Sequence, residues 1–310
     1  MNAISRFSVT VESGGRRLVA IDDFSFAQNE ITFLFGESGI GKSLLCKAAY
    51  GLLYPDELQV SINGRSYNDY LVDPQTAALR ANGFFVFQEP SSHLNPLKKI
   101  TEQLNEGSIS GEEDEREVLG TLWQTADDGG VREILRVYPK PYRPSGGEKQ
   151  RVLLAMAFKK ILRVLRSSAS QPSLFVFDEP TGSLDNNYRN LFLRFLLEKF
   201  SGHPFTVLLI THDYSIISEV TQKYAHLKGR IHFKELSRVD DHGKVELKDF
   251  SAGEYLSWLD SARAHVQPGV GKPVLHFSSA FSVFDRRLQI FSDPNHRMPV
   301  DLAKIGRAHV

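Results

Sequence analysis

The chain has one cysteine, Cys46, and two tryptophans in 310 residues, and no net formal charge, with 37 Lys+Arg set against 37 Asp+Glu. A lone thiol excludes an intramolecular disulfide framework and any zinc or iron–sulfur site built from this chain's own cysteines. Balanced charge argues against a nucleic-acid surface spread over the whole molecule. Long apolar runs are missing as well: Ile31–Phe35, Leu174–Phe177 and Val207–Ile210 fall far short of the ~20 residues of a membrane span. Met1–Glu12 offers no apolar stretch of the signal-peptide kind, because Arg6, Thr10 and Glu12 interrupt it. These absences predict a soluble, cytosolic chain that does not itself form a channel. With 41% hydrophobic residues, it can bury a substantial core.

Apolar and polar residues alternate loosely over Ile4–Val11 and again over Leu18–Phe26, with Ser13-Gly14-Gly15 between them. That pattern reads as antiparallel strands with one wet face. Ile31–Phe35 is nearly continuous in apolar residues, as expected of a strand buried on both faces, and Lys42–Tyr50 has helical character. Leu58–Asn63 and Gly83–Phe87 read as further strands. From Gln88 to Tyr138 the texture turns polar and helical, and the acidic run at 111–117 reads as a solvated helix start. Buried-strand texture returns at Leu174–Phe177 and Phe205–Ile210, each followed by a helical stretch. The alternation predicts a parallel sheet with an inserted helical subdomain. Beyond Lys228 the pattern is mixed.

Gly36-Glu37-Ser38-Gly39-Ile40-Gly41-Lys42-Ser43 fits G-x-x-x-x-G-K-[ST] between a buried strand and a helix, the setting a phosphate-binding P-loop requires. Glycines let backbone N–H groups close around phosphate oxygens, and the helix N-terminus adds favourable partial charge. Lys42 suits the outer phosphates and the Ser43 hydroxyl suits Mg²⁺. Leu174–Phe177 ends in Asp178-Glu179, at the strand end where open α/β sheets place ligands. Asp178 is suited to hold Mg²⁺ through water, and Glu179 to polarise an attacking water. Alone, two acids after a strand are an ordinary entry into solvent. Ser145-Gly146-Gly147-Glu148-Lys149-Gln150-Arg151 precedes an amphipathic helix through Val152–Phe158, with Ser145 a natural N-cap. In isolation Gln88 reads as a surface residue, and His212 as a core or rim histidine.

The order of these segments, completed by Ser183-Leu184-Asp185, resembles the nucleotide-binding subunits of ATP-binding-cassette (ABC) transporters over roughly residues 1–230. Phe87-Gln88-Glu89-Pro90-Ser91-Ser92-His93-Leu94-Asn95-Pro96, Tyr138-Pro139 and Gln150-Arg151 are similar to the dipeptide, oligopeptide and nickel importer branch. The resemblance implies a P-loop NTPase with a RecA-like parallel core, an N-terminal antiparallel β subdomain and an inserted α-helical subdomain. It implies ATP and Mg²⁺ as cofactors, with Gln88 joining Ser43 and Asp178 at the metal and linking nucleotide state to the helical subdomain. Glu179, His212 and Gln88 would form the catalytic set. Gly36 through Ser43, together with Asp178, would bind the nucleotide, while Ser145, Gly146, Gly147 and Glu148 would meet the γ-phosphate held by a facing cassette. The implied partners are that second ABC ATPase domain and transmembrane permease subunits, without nucleic acid, at the cytoplasmic face of the inner membrane. A peptide-like solute is the implied cargo. The competing expectation is a non-transport cassette that assembles or regulates a soluble complex such as carbon–phosphorus lyase.

The sequence departs from that family pattern in places. Pro144 stands where Leu is usual and Glu148 where Gln is usual, and the latter brings a carboxylate toward the triphosphate. The Ser13–Gly15 turn lacks the aromatic that stacks on adenine, leaving Arg16 or Phe7 as substitutes. Cys46 reads as packing. The domain division expected is a cassette over 1–235, its helical subdomain near 89–150, and a linker or extension over 236–272. Residues 274–293 echo 4–23 at a constant offset of 270: Phe7-Ser8 with Phe277-Ser278, Arg16-Arg17-Leu18 with Arg286-Arg287-Leu288, Asp23 with Asp293. A second cassette beginning over 273–304 would explain the echo, as would coincidence in β-rich sequence. Ile305–Val310 resembles translated adapter and is set aside as a sequencing artefact.

Overall fold

A six-residue strand buried along its whole length, Ile31–Gly36, lies inside the main sheet, as its unbroken apolar run requires. The computed structural model describes residues 4–54, 56–105, 112–125, 128–137, 144–166, 172–182, 186–265, 281–284 and 287–290. In chain order the strands are β1 (Ile4–Ser13), β2 (Arg16–Ala27), β3 (Ile31–Gly36), β4 (Gln59–Ile62), β5 (Arg65–Ser66), β6 (Phe84–Val86), β7 (Leu174–Asp178), β8 (Thr206–Ile210), β9 (Ile231–Arg238), β10 (Val245–Asp249), β11 (Phe281–Phe284) and β12 (Arg287–Ile290). The helices are α1 (Lys42–Tyr50), α2 (Tyr67–Val72), α3 (Pro74–Asn82), α4 (Ile100–Asn105), α5 (Glu112–Trp123), α6 (Asp128–Val137), α7 (Gly146–Arg166), α8 (Asn186–Gly202), α9 (Ser215–Lys223) and α10 (Ala252–His265).

Two sheets form the first compact unit, which runs to Ser251. The smaller has the order β2-β1-β4-β5 and is antiparallel. The larger has the order β10-β9-β3-β8-β7-β6, parallel from β9 to β6, with β10 antiparallel at the edge. The helices α4 to α7 fill the interval between β6 and β7, where the polar helical texture predicts an insertion. Strand β9 runs past residue 235 to Arg238 and pairs with β10. The segment 236–249 therefore belongs to the sheet, and is not a linker or an extension of the fold. Its strand pattern was hidden because β9, although paired on both sides, places Lys234 and Glu235 side by side in a stretch that is only half buried.

Each face of the parallel sheet has its own core. Leu34, Val176, Leu208 and Ile210 share a cluster with Leu45, Cys46 and Ala48 of α1 and with Val9, Val11, Val19 and Phe24 of the antiparallel sheet. That cluster fixes α1, and with it the phosphate loop. Alternate residues point the other way: Phe177 meets Phe192 of α8 edge-on at 5.2 Å, and Phe192 stacks with Phe158 of α7 at 5.8 Å. No helix among the described residues is long and apolar enough to cross a membrane. The second unit, from Ala252, contains α10 and the antiparallel hairpin β11–β12, with Phe281 opposite Ile290 and Phe284 opposite Arg287.

Candidate active site

The C-terminal ends of β3, β6, β7 and β8 point to one rim of the parallel sheet. From them leave, in turn, the Gly36–Gly41 loop, Gln88, Asp178-Glu179 and Thr211-His212. Strand direction alone thus gathers four of the sequence-predicted segments.

Glycine is required at two points of the loop. Gly36 has φ 141°, and a Cβ there would lie 2.8 Å from the Leu236 carbonyl oxygen; Gly41 has φ 109°, and its Cβ would lie 2.8 Å from Val19 Cγ2. The loop is therefore pressed against β9 on one side and β2 on the other. Lys42 is buried and donates to the carbonyls of Gly36 and Glu37 at 2.7 and 2.8 Å. Burial pushes its ammonium below the usual lysine range, opposed by the nearby Glu179 and Asp178 carboxylates. The Ser43 hydroxyl donates to Asp178 Oδ1 at 2.8 Å. Asp178 is 2% exposed, and burial raises its pKa, against the pull of the Ser43 hydrogen bond and of Lys47. The thiol of Cys46, fully buried behind the loop, is likewise pushed up by burial.

Glu179 occupies the left-handed backbone region at φ 47°, a costly position for a non-glycine residue and one typical of functional sites. Its N–H donates to the Ile210 carbonyl at 3.1 Å, which fixes the turn on β8. Its Oε2 lies 2.8 Å from His212 Nδ1. A carboxylate can only accept, so Nδ1 carries the shared proton and Nε2 is left facing outward. The histidine side chain is 73% exposed and that of Glu179 12%. A strained carboxylate with an imidazole attached, beside a lysine-closed phosphate loop, is equipped to take a proton from water next to a phosphate.

Other predicted residues stand apart. Gln88 is exposed at the end of β6 and shares no hydrogen bond with Ser43 or Asp178. Ser145 and Glu148 start α7 and close on each other: the Glu148 carboxylate accepts from Ser145 N–H and Oγ, both at 2.8 Å, and Ser145 Oγ accepts from Glu148 N–H at 3.4 Å. This is a capping box, which gives Glu148 a local role that its S-x-x-E spacing already signals. Ser183-Leu184-Asp185 and Tyr138-Pro139 lie outside the described residues. Phe7 is buried and stacks on Phe26 at 5.8 Å, so it cannot meet a ligand. Arg16 is exposed and lines a cleft of about 670 Å³ beside Gly39, walled by the Asp240–Gly243 turn that joins β9 to β10. Sequence reasoning missed that wall, which is held by Ala20 N–H donating to the Gly243 carbonyl at 2.8 Å.

The family model for ABC transporters matches residues 20–182, more than half of the chain. The chain belongs to the ABC transporter family. A peptidoglycan transport ATP-binding protein, YejF of Agrobacterium fabrum, is 34% identical over 74% of this chain and 42% of its own length. The oligopeptide transport ATP-binding protein OppD of Lactococcus lactis subsp. cremoris is 31% identical over 66% of this chain and 59% of its own. The chain thus spans about half the length of these relatives. Among solved structures, the dimeric cassette MJ0796, in a post-hydrolysis state with ADP and Pi, superposes with a TM-score of 0.56. It is 23% identical and covers 81% of this chain and 99% of that one, so the ABC cassette fold is shared.

Proposed function

We propose that this chain binds and hydrolyses ATP as the nucleotide-binding subunit of an ABC importer for peptide-like solutes. The observation that carries the reading is the rim on which Lys42, Ser43, Asp178, Glu179 and His212 converge. The substrate class follows relatives that are named as peptide and oligopeptide transport ATP-binding proteins. The Lys42 ammonium, spanning two loop carbonyls, is placed to exchange them for the β- and γ-phosphate oxygens. An exposed Arg16 and the adjoining cleft suit the base, in place of a stacking aromatic.

Mg²⁺ fits the donors present: Ser43 Oγ and Asp178 Oδ1 are hard oxygens 2.8 Å apart, and such a metal takes only one or two protein ligands besides phosphate. Bound there, it would neutralise charge on the phosphate oxygens. Glu179 accepts the proton of the attacking water as its oxygen bonds to the γ-phosphorus and the bond to the β-phosphate bridge breaks. His212 orients that carboxylate through Nδ1 and offers Nε2 to the γ-phosphate.

The partners proposed are a second cassette, whose Ser145–Glu148 segment would complete the site, and permease subunits at the cytoplasmic face of the inner membrane. Copurification from native membranes tests this: ATP hydrolysis and a multi-span permease should travel with the chain, and a soluble complex without permease would overturn it. Glu148 gives a sharper expectation. Glu148→Gln keeps the cap, because an amide oxygen also accepts from Ser145, but removes one negative charge from the phosphate-facing helix end. In a Glu179→Gln background, ATP-dependent pairing measured by ultracentrifugation should need about threefold less ATP. An unchanged ATP requirement would mean that the Glu148 charge does not oppose closure.

Residues 273–304 we read as the start of a second cassette. Most of that stretch lies outside the described residues; β11 and β12, shifted by 270, fall on 11–14 and 17–20, near the closing end of the β1–β2 hairpin. The register differs by one residue: Phe281 pairs with Ile290, equivalent to 11 with 20, where Val11 pairs with Val19. Sequencing the locus downstream should find another G-x-x-x-x-G-K-[ST]; its absence from the reading frame refutes the repeat.

A further inference from the structure

His212 sits in an irregular stretch between β8 and α9, and the phosphate motifs do not explain what holds that stretch in place. The next residue does. Asp213 N–H donates to Thr211 Oγ1 at 3.0 Å, and Asp213 Oδ1 accepts from Ser215 N–H at 3.0 Å and from Ser215 Oγ. Asp213 Oδ2 accepts from Arg189 Nη1, which comes from the first turn of α8 and also donates to Ser215 Oγ at 2.8 Å. Arg189 Nη2 lies 3.7 Å from Glu219 of α9, and the arginine side chain is only 18% exposed. Burial tends to raise the Asp213 pKa, but the hydrogen bonds from Ser215 and Arg189 outweigh it and hold the carboxyl below its ordinary range. A mostly buried guanidinium is expensive to remove, because Asp213 would lose its charged donor, whereas Glu219 would keep Lys223 at 2.9 Å.

The residue before it faces the other way. The Arg151 guanidinium of α7 lies 4.3 Å from the Tyr188 ring and 4.8 Å from the Trp123 ring of α5. Two consecutive residues of α8 therefore touch the helical insertion on one side and the His212 stretch on the other.

We propose that Arg189 is a positioning residue for the Glu179–His212 pair, and that Tyr188 ties this setting to α5 and α7 through Arg151. The inference rests on Glu179 and His212 acting on ATP as described above. Arg189 touches no reacting atom; it fixes Asp213, and Asp213 fixes the backbone from which His212 reaches Glu179. Movement of α7 relative to α8 would act on the pair through adjoining side chains.

Steady-state ATP hydrolysis by the full chain tests this with Arg189→Ala, Arg189→Lys and Tyr188→Leu, each checked by its thermal midpoint. Arg189→Ala should lower kcat about tenfold and leave KM for ATP within about twofold, since only the orientation of the pair is lost. Arg189→Lys, which retains a cation between Asp213 and Glu219, should recover most of that loss. Unchanged kcat in the alanine variant overturns the proposal. If the alanine variant does not fold, the lysine variant decides: a KM rise matching any fall in kcat would show a merely structural cation and overturn it equally. In a double-mutant cycle, Tyr188→Leu and Arg189→Ala should be non-additive in kcat, and additive losses overturn the link to α5 and α7. Glu179→Gln separates the underlying reading. Turnover that survives that change removes the pair itself, whatever Arg189 does.

Discussion

Glu179→Gln is expected to leave ATP bound and to lower turnover by about 10²–10⁴-fold, the range typical of a lost general base. The substitution keeps shape, hydrogen-bonding reach and the left-handed backbone at φ 47°, so it removes the proton acceptor and little else. Asp178 cannot take over. It is 2% exposed and accepts from Ser43 at 2.8 Å, whereas Glu179 has its Oε2 on His212. A purified chain in which the glutamine variant turns over within severalfold of the parent would remove Glu179 from the role of base. ATP affinity, followed in the same samples by calorimetry, should change by less than about threefold, because an interaction confined to the transition state does not contribute to ground-state binding. A matching loss of affinity would instead place Glu179 in the phosphate cradle. His212→Ala should also slow turnover, since the carboxylate then loses the donor that orients it.

The phosphate loop was legible because its chemistry is local. Closing backbone N–H groups on phosphate demands glycines, a lysine and a hydroxyl within eight residues, and the buried strand before them shows as an unbroken apolar run. The Asp178-Glu179 end of β7 was legible for the same reason, as was α1, which occupies the predicted Lys42–Tyr50. What escaped depends on residues far apart in the chain. Arg189 and Asp213 are ordinary surface types in sequence, and only the packing of α8 beside the β8–α9 connection brings them together. The β9–β10 hairpin escaped because β9 sets Lys234 and Glu235 side by side in a half-buried stretch, which breaks any clean period. Phe7 and Arg16 looked equivalent as stacking residues until strand register turned Phe7 into the core beside Phe26. Glu148 is the reverse case: its capping box is readable from the S-x-x-E spacing alone, and it stands beside the expectation that the same carboxylate comes near a triphosphate.

Lys42→Ala should cost the chain its nucleotide, not merely its turnover. The ammonium has two tasks in this structure. It bridges the Gly36 and Glu37 carbonyls across the loop at 2.7 and 2.8 Å, and it is the cation set against Asp178 and Glu179. A hydrogen bond to a charged group contributes about 1.5–3 kcal/mol, so losing the contact to phosphate should weaken ATP binding roughly ten- to a hundredfold. The loop would also lose its internal donor, leaving two carbonyls unpaired beside carboxylates no longer balanced by the lysine. Stability should fall by about 1–3 kcal/mol, read from a denaturant midpoint. Lys42→Arg should not rescue binding. A compact ammonium fits between the Gly36 and Glu37 carbonyls, whereas a planar, longer guanidinium cannot take that place without displacing the loop. Calorimetric titration with ATP and with tripolyphosphate separates the outcomes. Both ligands should weaken together, because Lys42 acts on phosphate and not on the base. If ATP binds the alanine variant with parental affinity, the Gly36–Ser43 loop does not hold the nucleotide, and the rim of β3, β7 and β8 must serve another ligand.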